Sequence, residues 1–102
     1  MNLSEALNCF YNNLIVKGRS LKTIDSYKSQ LNPFYKFSGD IDIRKIDYNM
    51  YCDYIIYLRG KKILSSVTIH SYANSLKVFL NYLFKHGYIY DNIALKIEIF
   101  LY

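Results

Sequence analysis

Two stretches of this chain are closely similar: TIDSYKSQLNPF, residues 23–34, and TIHSYANSLKVF, residues 68–79. Six of the twelve positions are identical, at a constant offset of 45 residues, and a serine precedes each stretch by three residues, Ser20 and Ser65. The apolar identities recur at helical spacing and predict one buried stripe per copy. They are Ile24, Tyr27, Leu31 and Phe34, and Ile69, Tyr72, Leu76 and Phe79. The repeat therefore predicts two similar amphipathic helices packed on a shared core.

A polar stripe lies beside each apolar stripe. Its members are Thr23, Ser26 and Gln30 in the first copy, and Thr68, Ser71 and Ser75 in the second. Small hydroxyls on a helix are often only a solvated surface. In the N-terminal half of a helix, however, they lie near free backbone N–H groups and the positive end of the dipole, which favour phosphate. Such side chains also donate to phosphate oxygens or to base edges in a major groove.

The net charge of +5 is unevenly distributed. Residues 17–39 carry +4 and residues 54–90 carry +5, whereas the three remaining segments are each slightly acidic. No acidic residue lies between Asp53 and Asp91. A basic stretch is usually a solvated surface, but here the two basic segments are the ones that contain the repeat. This pattern indicates a polyanionic partner.

Composition predicts one globular domain. The chain has 102 residues, of which 52% are hydrophobic and 21% charged. The longest apolar run is YIIYL, residues 54–58, and the N-terminus has no signal-peptide pattern, so we expect a soluble, intracellular protein. Cys9 and Cys52 lack CxxC spacing and histidine companions, so they are predicted to be buried, reduced thiols. No metal site or cofactor is predicted.

Capping residues and glycines predict where the helices begin and end. Pro33 predicts a kink or break near Asn32, and no convincing strand pattern is present. The predicted helices run from the Asn2/Glu5 capping box to Gly18, from Ser20 to about Ser38, from Asp47 to Gly60, from Ser65 or Ser66 to Lys85 or His86, and briefly after Asp91 or Asn92. The fold class predicted is all-α: four helices plus a short C-terminal fifth.

The order of these segments resembles the N-terminal core-binding domain of tyrosine recombinases of the phage integrase type. That family shows S-x-x-T-[IV]-x-x-Y-x-x-x-L-x-x-F in its second helix, and here Ser20–Phe34 matches it. A serine-led T-[IV]-x-x-x-x-x-x-L-x-x-F follows at Ser65–Phe79, and Y-L-x-x-x-G-x-I-x-x-N-P at Tyr82–Ile93, where Ile93 replaces the usual proline. The resemblance covers the chain from Leu3 to about Ile97.

The resemblance implies that residues 1–102 form a single DNA-binding domain with the SAM-like orthogonal bundle, and that residues 93–102 begin the fifth helix or linker. In the family, this domain is the non-catalytic half of a clamp, and its second and fourth helices face the major groove. The expected partners are double-stranded DNA and the catalytic domain of the same recombinase. The positions implied to face DNA are Lys22, Thr23, Ser26, Ser29, Thr68, His70, Ser71 and Ser75, with Gln30 added by the polar stripe. The cations expected to neutralise phosphates are Arg19, Lys22, Lys61, Lys62 and Lys77.

The chain itself is expected not to be an enzyme. The recombinase catalytic domain uses arginines, a lysine, histidines and a tyrosine nucleophile. This sequence does not show that pattern, since no H-x-x-R occurs and the chain ends where that domain would begin. Tyr27, Tyr72 and Tyr82 fall at core spacing with no activating partner. The expected role is to support DNA integration and recombination carried out by a separate catalytic domain. The expected location is prokaryotic or phage-host cytoplasm, at the nucleoid.

Two alternatives stay open at this point. One is a helical protein-interaction bundle whose basic surface is incidental, and the other is a stand-alone DNA-binding regulator derived from an integrase. The apolar tail IALKIEIFLY, residues 93–102, is also expected to promote self-association.

Overall fold

The computed structural model describes residues 1–61 and 63–98. In this part of the chain five α-helices follow one another: α1 (Leu3–Val16), α2 (Leu21–Ser38), α3 (Tyr48–Arg59), α4 (Ser66–Lys85) and α5 (Ile93–Lys96). A single turn of 3-10 helix, Ile43–Lys45, lies between α2 and α3. Residues 1–61 and 63–98 contain no strand, although an isolated β-bridge joins Asn2 to Asp42. The predicted all-α architecture is confirmed.

The predicted N-cap Ser20 of α2 is confirmed, and of the two serines predicted as the N-cap of α4, Ser65 takes that position. Ser20 Oγ accepts a hydrogen bond from the Thr23 N–H at 3.2 Å, and Ser65 Oγ accepts one from the Thr68 N–H at 3.1 Å. Each serine hydroxyl also contacts the hydroxyl of the same threonine, at 3.0 Å in α2 and 3.1 Å in α4. The Ser-x-x-Thr part of the repeat is therefore a capping pair, which satisfies backbone donors that the first helical turn leaves free.

The connection between α1 and α2 is a tight turn at Gly18. Its φ of +79° lies in the left-handed region that glycine tolerates best. This conformation lets the Arg19 N–H reach back to the Leu14 carbonyl at 3.0 Å, which closes the C-terminus of α1. As a result, α2 begins immediately beside the end of α1.

The break predicted near Asn32 does not occur, because α2 continues without interruption to Ser38, and the alternative of a kink there stays a prediction. Proline lacks the N–H that would bond to the Ser29 carbonyl four residues earlier. Ser29 is exposed, so water can bond to that carbonyl and the helix can tolerate the missing bond.

The two predicted apolar stripes meet in one core. Six of their eight members are buried: Ile24, Leu31, Phe34, Ile69, Leu76 and Phe79. Tyr27 and Tyr72 are only half-buried and pack at the core margin. The Phe10 ring of α1 joins this core, with its centroid 5.5 Å from that of Phe79 and 5.4 Å from that of Tyr27.

The C-terminal segment packs on α4 through Ile93, Ala94 and Ile97, all of which are buried. The predicted short fifth helix is thus confirmed over Ile93–Lys96. The rest of the apolar tail, residues 99–102, lies outside the described residues, so its role in self-association stays a prediction.

None of the helices within residues 1–61 and 63–98 has the length and apolarity that a membrane crossing requires. Cys9 and Cys52 are free thiols, and both are half-buried rather than fully buried. Over the same residues, no three His, Cys, Asp or Glu side chains come together as metal ligands would.

Candidate nucleic-acid interface

The repeat helices α2 and α4 cross at a pair of equivalent positions. The Ser75 hydroxyl of α4 donates a hydrogen bond to Gln30 Oε1 of α2, and these two residues are separated by 45 positions, the offset of the repeat. On one side of this pair, Tyr27 and Val78 line a common groove. On the other side, Pro33 and Tyr72 line a second groove.

These contacts are reciprocal, because adding 45 to Pro33 gives Val78 and adding 45 to Tyr27 gives Tyr72. These pairings indicate that α2 and α4 run in roughly opposite directions past the Gln30–Ser75 pair. The N-terminal turn of each helix therefore lies toward the C-terminal half of the other helix.

Helical periodicity places the small polar side chains that neighbour Gln30 and Ser75, and that do not pack in the core, on one side of this crossing, and we call them the polar face. We define it by Ser26 and Ser29 of α2, and by Ser71 and Asn74 of α4. Ser26, Ser29 and Asn74 are exposed, and Ser71 is half-buried with its hydroxyl donating to the Val67 carbonyl at 3.2 Å. Sequence reasoning missed Asn74, although it lies at the repeat position of Ser29, and the 45-residue offset could have identified it.

Ser75 does not belong to the polar face, so the expectation that it faces DNA is wrong. Its side chain is 2% exposed because α2 covers this flank of α4, and its hydroxyl is bonded to Gln30. Gln30 is half-buried and holds the crossing together. Thr23 and Thr68 are half-buried too, with their hydroxyls in the caps of their helices.

Lys77 was expected to neutralise phosphate, and its ammonium group forms a hydrogen bond within the protein. It is half-buried, and Nζ donates to the Ile97 carbonyl at 3.2 Å. This carbonyl follows α5, so Lys77 secures residues 93–97, while its contact with phosphate stays a prediction. His70, also on α4, is half-buried.

Exposed cations lie at both ends of the polar face. Arg19 and Lys22 are exposed at the N-terminal end of α2. Lys61 is exposed just before α4, with Nζ 4.6 Å from the centroid of the Tyr57 ring. Lys62, a further predicted cation, lies outside the described residues. Because α2 and α4 run past each other in opposite directions, these two cationic ends lie on opposite sides of the crossing.

A second basic cluster was not predicted as a site. Lys17 and Arg19 line a groove together with Lys85 and His86 at the C-terminus of α4. Arg19 was predicted as a DNA contact, but its three companions were not. Lys17 and Arg19 are far in sequence from Lys85 and His86, so only tertiary packing brings the two pairs together.

Comparison with known proteins identifies the fold. Residues 3–99 match the family model of the phage integrase SAM-like domain, and the chain belongs to this family. Its structure is similar to the N-terminal domain of a phage integrase/site-specific recombinase from Haloarcula marismortui, with a TM-score of 0.85 and 16% sequence identity over 97% of this chain and 96% of that chain. At that identity the likeness demonstrates a shared fold. A search of curated proteins found no significant match. The predicted family is thus confirmed.

Proposed function

We propose that this domain binds double-stranded DNA as a non-catalytic part of a tyrosine recombinase, with α2 and α4 against the major groove. The observation that carries the proposal is the polar face at the α2–α4 crossing, with Arg19 and Lys22 at one end and Lys61 at the other. Two phosphate backbones border a major groove about 12 Å wide. Small polar groups flanked by separated cations complement that surface.

Apart from Asn74, whose amide can pair with adenine, the polar face is better suited to positioning than to reading a sequence. Lysine and arginine contacts to phosphate supply salt-dependent affinity that is largely independent of sequence. A serine hydroxyl can form a hydrogen bond with several kinds of base edge. Ser26, Ser29 and Ser71 therefore discriminate poorly between bases. We therefore expect weak, salt-sensitive binding by this domain alone.

Recombination would then depend on a catalytic domain that supplies the nucleophile. Membership of the phage integrase SAM-like family supports this division of labour, as does the similarity to the N-terminal domain of a phage integrase/site-specific recombinase. Under the proposal the working location is the cytoplasm of a prokaryote or phage host, at the nucleoid, and the product of the joint activity is integrated or recombined DNA.

The test is NMR chemical-shift mapping of the labelled chain with a short duplex at about 50 and about 200 mM salt, a range over which phosphate contacts weaken strongly. We expect shifts centred on residues 19–29 and 68–74, which weaken as the salt concentration rises. An absence of shifts at low salt, with the protein folded, would contradict the proposal.

Asn74→Asp and Asn49→Asp form a matched pair for the same measurement. Both asparagines are exposed on helices, and each substitution adds one negative charge, but Asn49 lies on α3 away from the polar face. Asn74→Asp should weaken duplex binding several-fold through repulsion of phosphate, and Asn49→Asp should have little effect. Equal effects would show that only net charge matters.

The alternative of a protein-interaction bundle is favoured by a different surface. Ile56 and Tyr57 at the end of α3, and Ile63 beyond it, are exposed, Ile63 to 92%. Exposed apolar groups of this kind are found at protein interfaces. If duplex titration produces no shifts, this surface becomes the leading candidate. A stand-alone regulator would instead bind DNA as proposed, and would differ only in acting without a catalytic domain.

A further inference from the structure

The groove between α1, α2 and α4 has a composition suited to one kind of ligand. Its cavity volume is about 360 Å³. Its basic members are Lys17, Arg19, Lys85 and His86, its other polar members are Asn13, Thr23 and Asn81, and its aromatic members are Phe10, Tyr27 and Tyr82. No aspartate or glutamate lines it. Within residues 1–61 and 63–98, no ion pair is formed by Lys17, Arg19 or Lys85.

Helix dipoles explain only part of this cluster. Lys17 caps the C-terminus of α1 and Lys85 is the last residue of α4, where cations are ordinarily stabilising. Arg19, by contrast, directly precedes the N-cap of α2, where the positive end of a dipole disfavours a cation. Its presence beside two further cations therefore raises the local positive potential. An anion in the groove would relieve this repulsion.

Aromatic contacts position the His86 ring at the groove. The His86 ring lies 4.4 Å from the Tyr82 ring, centroid to centroid, and stacks 6.4 Å from Tyr88 with an interplanar angle of 14°. These contacts hold the imidazole at the groove.

We infer that this groove binds a phosphate group, in addition to the contacts made by the polar face. The inference rests on the proposed function, under which the phosphate belongs to the DNA backbone. Arg19 and Thr23 lie both in the groove and at the N-terminal end of α2, so the groove extends the proposed interface along one edge. Free inorganic phosphate or pyrophosphate offers the same chemistry, and the experiment distinguishes these sources.

The test compares Lys17→Gln/Lys85→Gln with Lys45→Gln/Lys96→Gln in the complete 102-residue chain. All four lysines are exposed, both double variants lose two charges, and neither Lys45 nor Lys96 lines the groove. The slope of log affinity against log salt is measured with a short duplex. For the groove variant we expect it to be shallower by about 0.9 per charge removed. The slope of the control variant should stay unchanged.

A second arm maps chemical shifts with pyrophosphate alone. Shifts at Arg19, Asn81 and His86 that disappear in Lys17→Gln/Lys85→Gln would support a phosphate site. If those shifts occur with pyrophosphate and not with the duplex, the site takes a free phosphate and the backbone assignment is overturned.

The two proposals fail in different ways. Equal salt slopes for the two double variants, together with no groove shifts from pyrophosphate, would overturn the phosphate site even if the duplex still perturbs Ser26 and Asn74. If the duplex perturbs neither surface while pyrophosphate perturbs the groove, the DNA-binding proposal fails and the phosphate site survives. Far-UV circular dichroism verifies that every variant is folded.

Discussion

The hydroxyl of Tyr54 is a polar group placed inside the core without a partner. The residue is fully buried, and its Oη forms no hydrogen bond within the described part of the chain. Its ring packs edge-on against Phe34, with centroids 5.1 Å apart. The ring is therefore stabilising, while the desolvated hydroxyl opposes folding.

Tyr54→Phe should consequently increase stability. The substitution keeps the ring contact and removes the unpaired hydroxyl, so we expect the free energy of unfolding to rise by about 1 kcal/mol. Urea denaturation followed by circular dichroism measures the change. The control is Tyr51→Phe in the same helix, whose hydroxyl is not an unpaired buried atom. A loss of stability in Tyr54→Phe would reveal a partner such as a bound water.

Buried tyrosines should also make the fold sensitive to alkali. Burial raises the pKa of Tyr11 and of Tyr51 to about 12, compared with about 10 in an unfolded chain. Their neutral forms are thus favoured by folding. This contribution is fully present below about pH 10 and is lost as the pH rises through about 12.

We therefore expect the urea midpoint to fall as the pH is raised from about 9 to about 11.5, the range in which the unfolded chain ionises first. Tyr51→Phe should reduce this fall, whereas Tyr90→Phe should not, because Tyr90 is 93% exposed. If the urea midpoint fell equally with pH in the unmodified protein and in both variants, the fall would come from groups other than Tyr51.

At the scale of the helices, the repeat gives α2 and α4 the same kind of N-cap. Ser20 and Ser65 each accept a backbone hydrogen bond, and each pairs with a threonine hydroxyl. These interactions span only three residues, which explains why the sequence predicted both caps. The continuity of α2 through Pro33 was not predictable in this way, because it depends on solvent reaching Ser29.

Ser65→Ala should destabilise the domain by about 1 kcal/mol, because the first turn of α4 loses its N-cap. Ser66→Ala is the matched control, since Ser66 is the neighbouring exposed serine and makes no capping bond. Thermal denaturation should separate the two variants by several degrees. Equal melting temperatures would mean that water replaces the cap without loss.

At the scale of the whole molecule, the short helix α5 depends on its neighbours. A helix of four residues is not stable alone, because nucleation is unfavourable. Burial of Ile93 and Ile97 against the bundle, together with the bond from Lys77 to the Ile97 carbonyl, holds it in place. Residues 93–97 are therefore part of the core through Ile93 and Ile97.

Ile97→Ala should cost about 2–5 kcal/mol, because it leaves a cavity where a 2% exposed side chain was packed. Leu95→Ala, two residues earlier and 80% exposed, should change stability by less than about 0.5 kcal/mol. Chemical denaturation of both variants measures the difference. Similar losses would show that α5 does not pack as described.

The sequence by itself determined the helices, their caps, the two buried stripes and the family. Each cap depends on residues three positions apart, and each helix and stripe on an apolar spacing that recurs every three or four residues, so helical periodicity reports them directly. Tertiary structure decided which polar side chains remain exposed. Ser75 and Asn74 are adjacent in sequence, yet α2 covers the first and leaves the second exposed. Packing also directed Lys77 toward Ile97 and brought Lys17 and Lys85 to one groove. Periodicity in the sequence predicts the direction in which a side chain points from its own helix axis. Whether that side chain is exposed or contacts another residue depends on how the neighbouring helices pack.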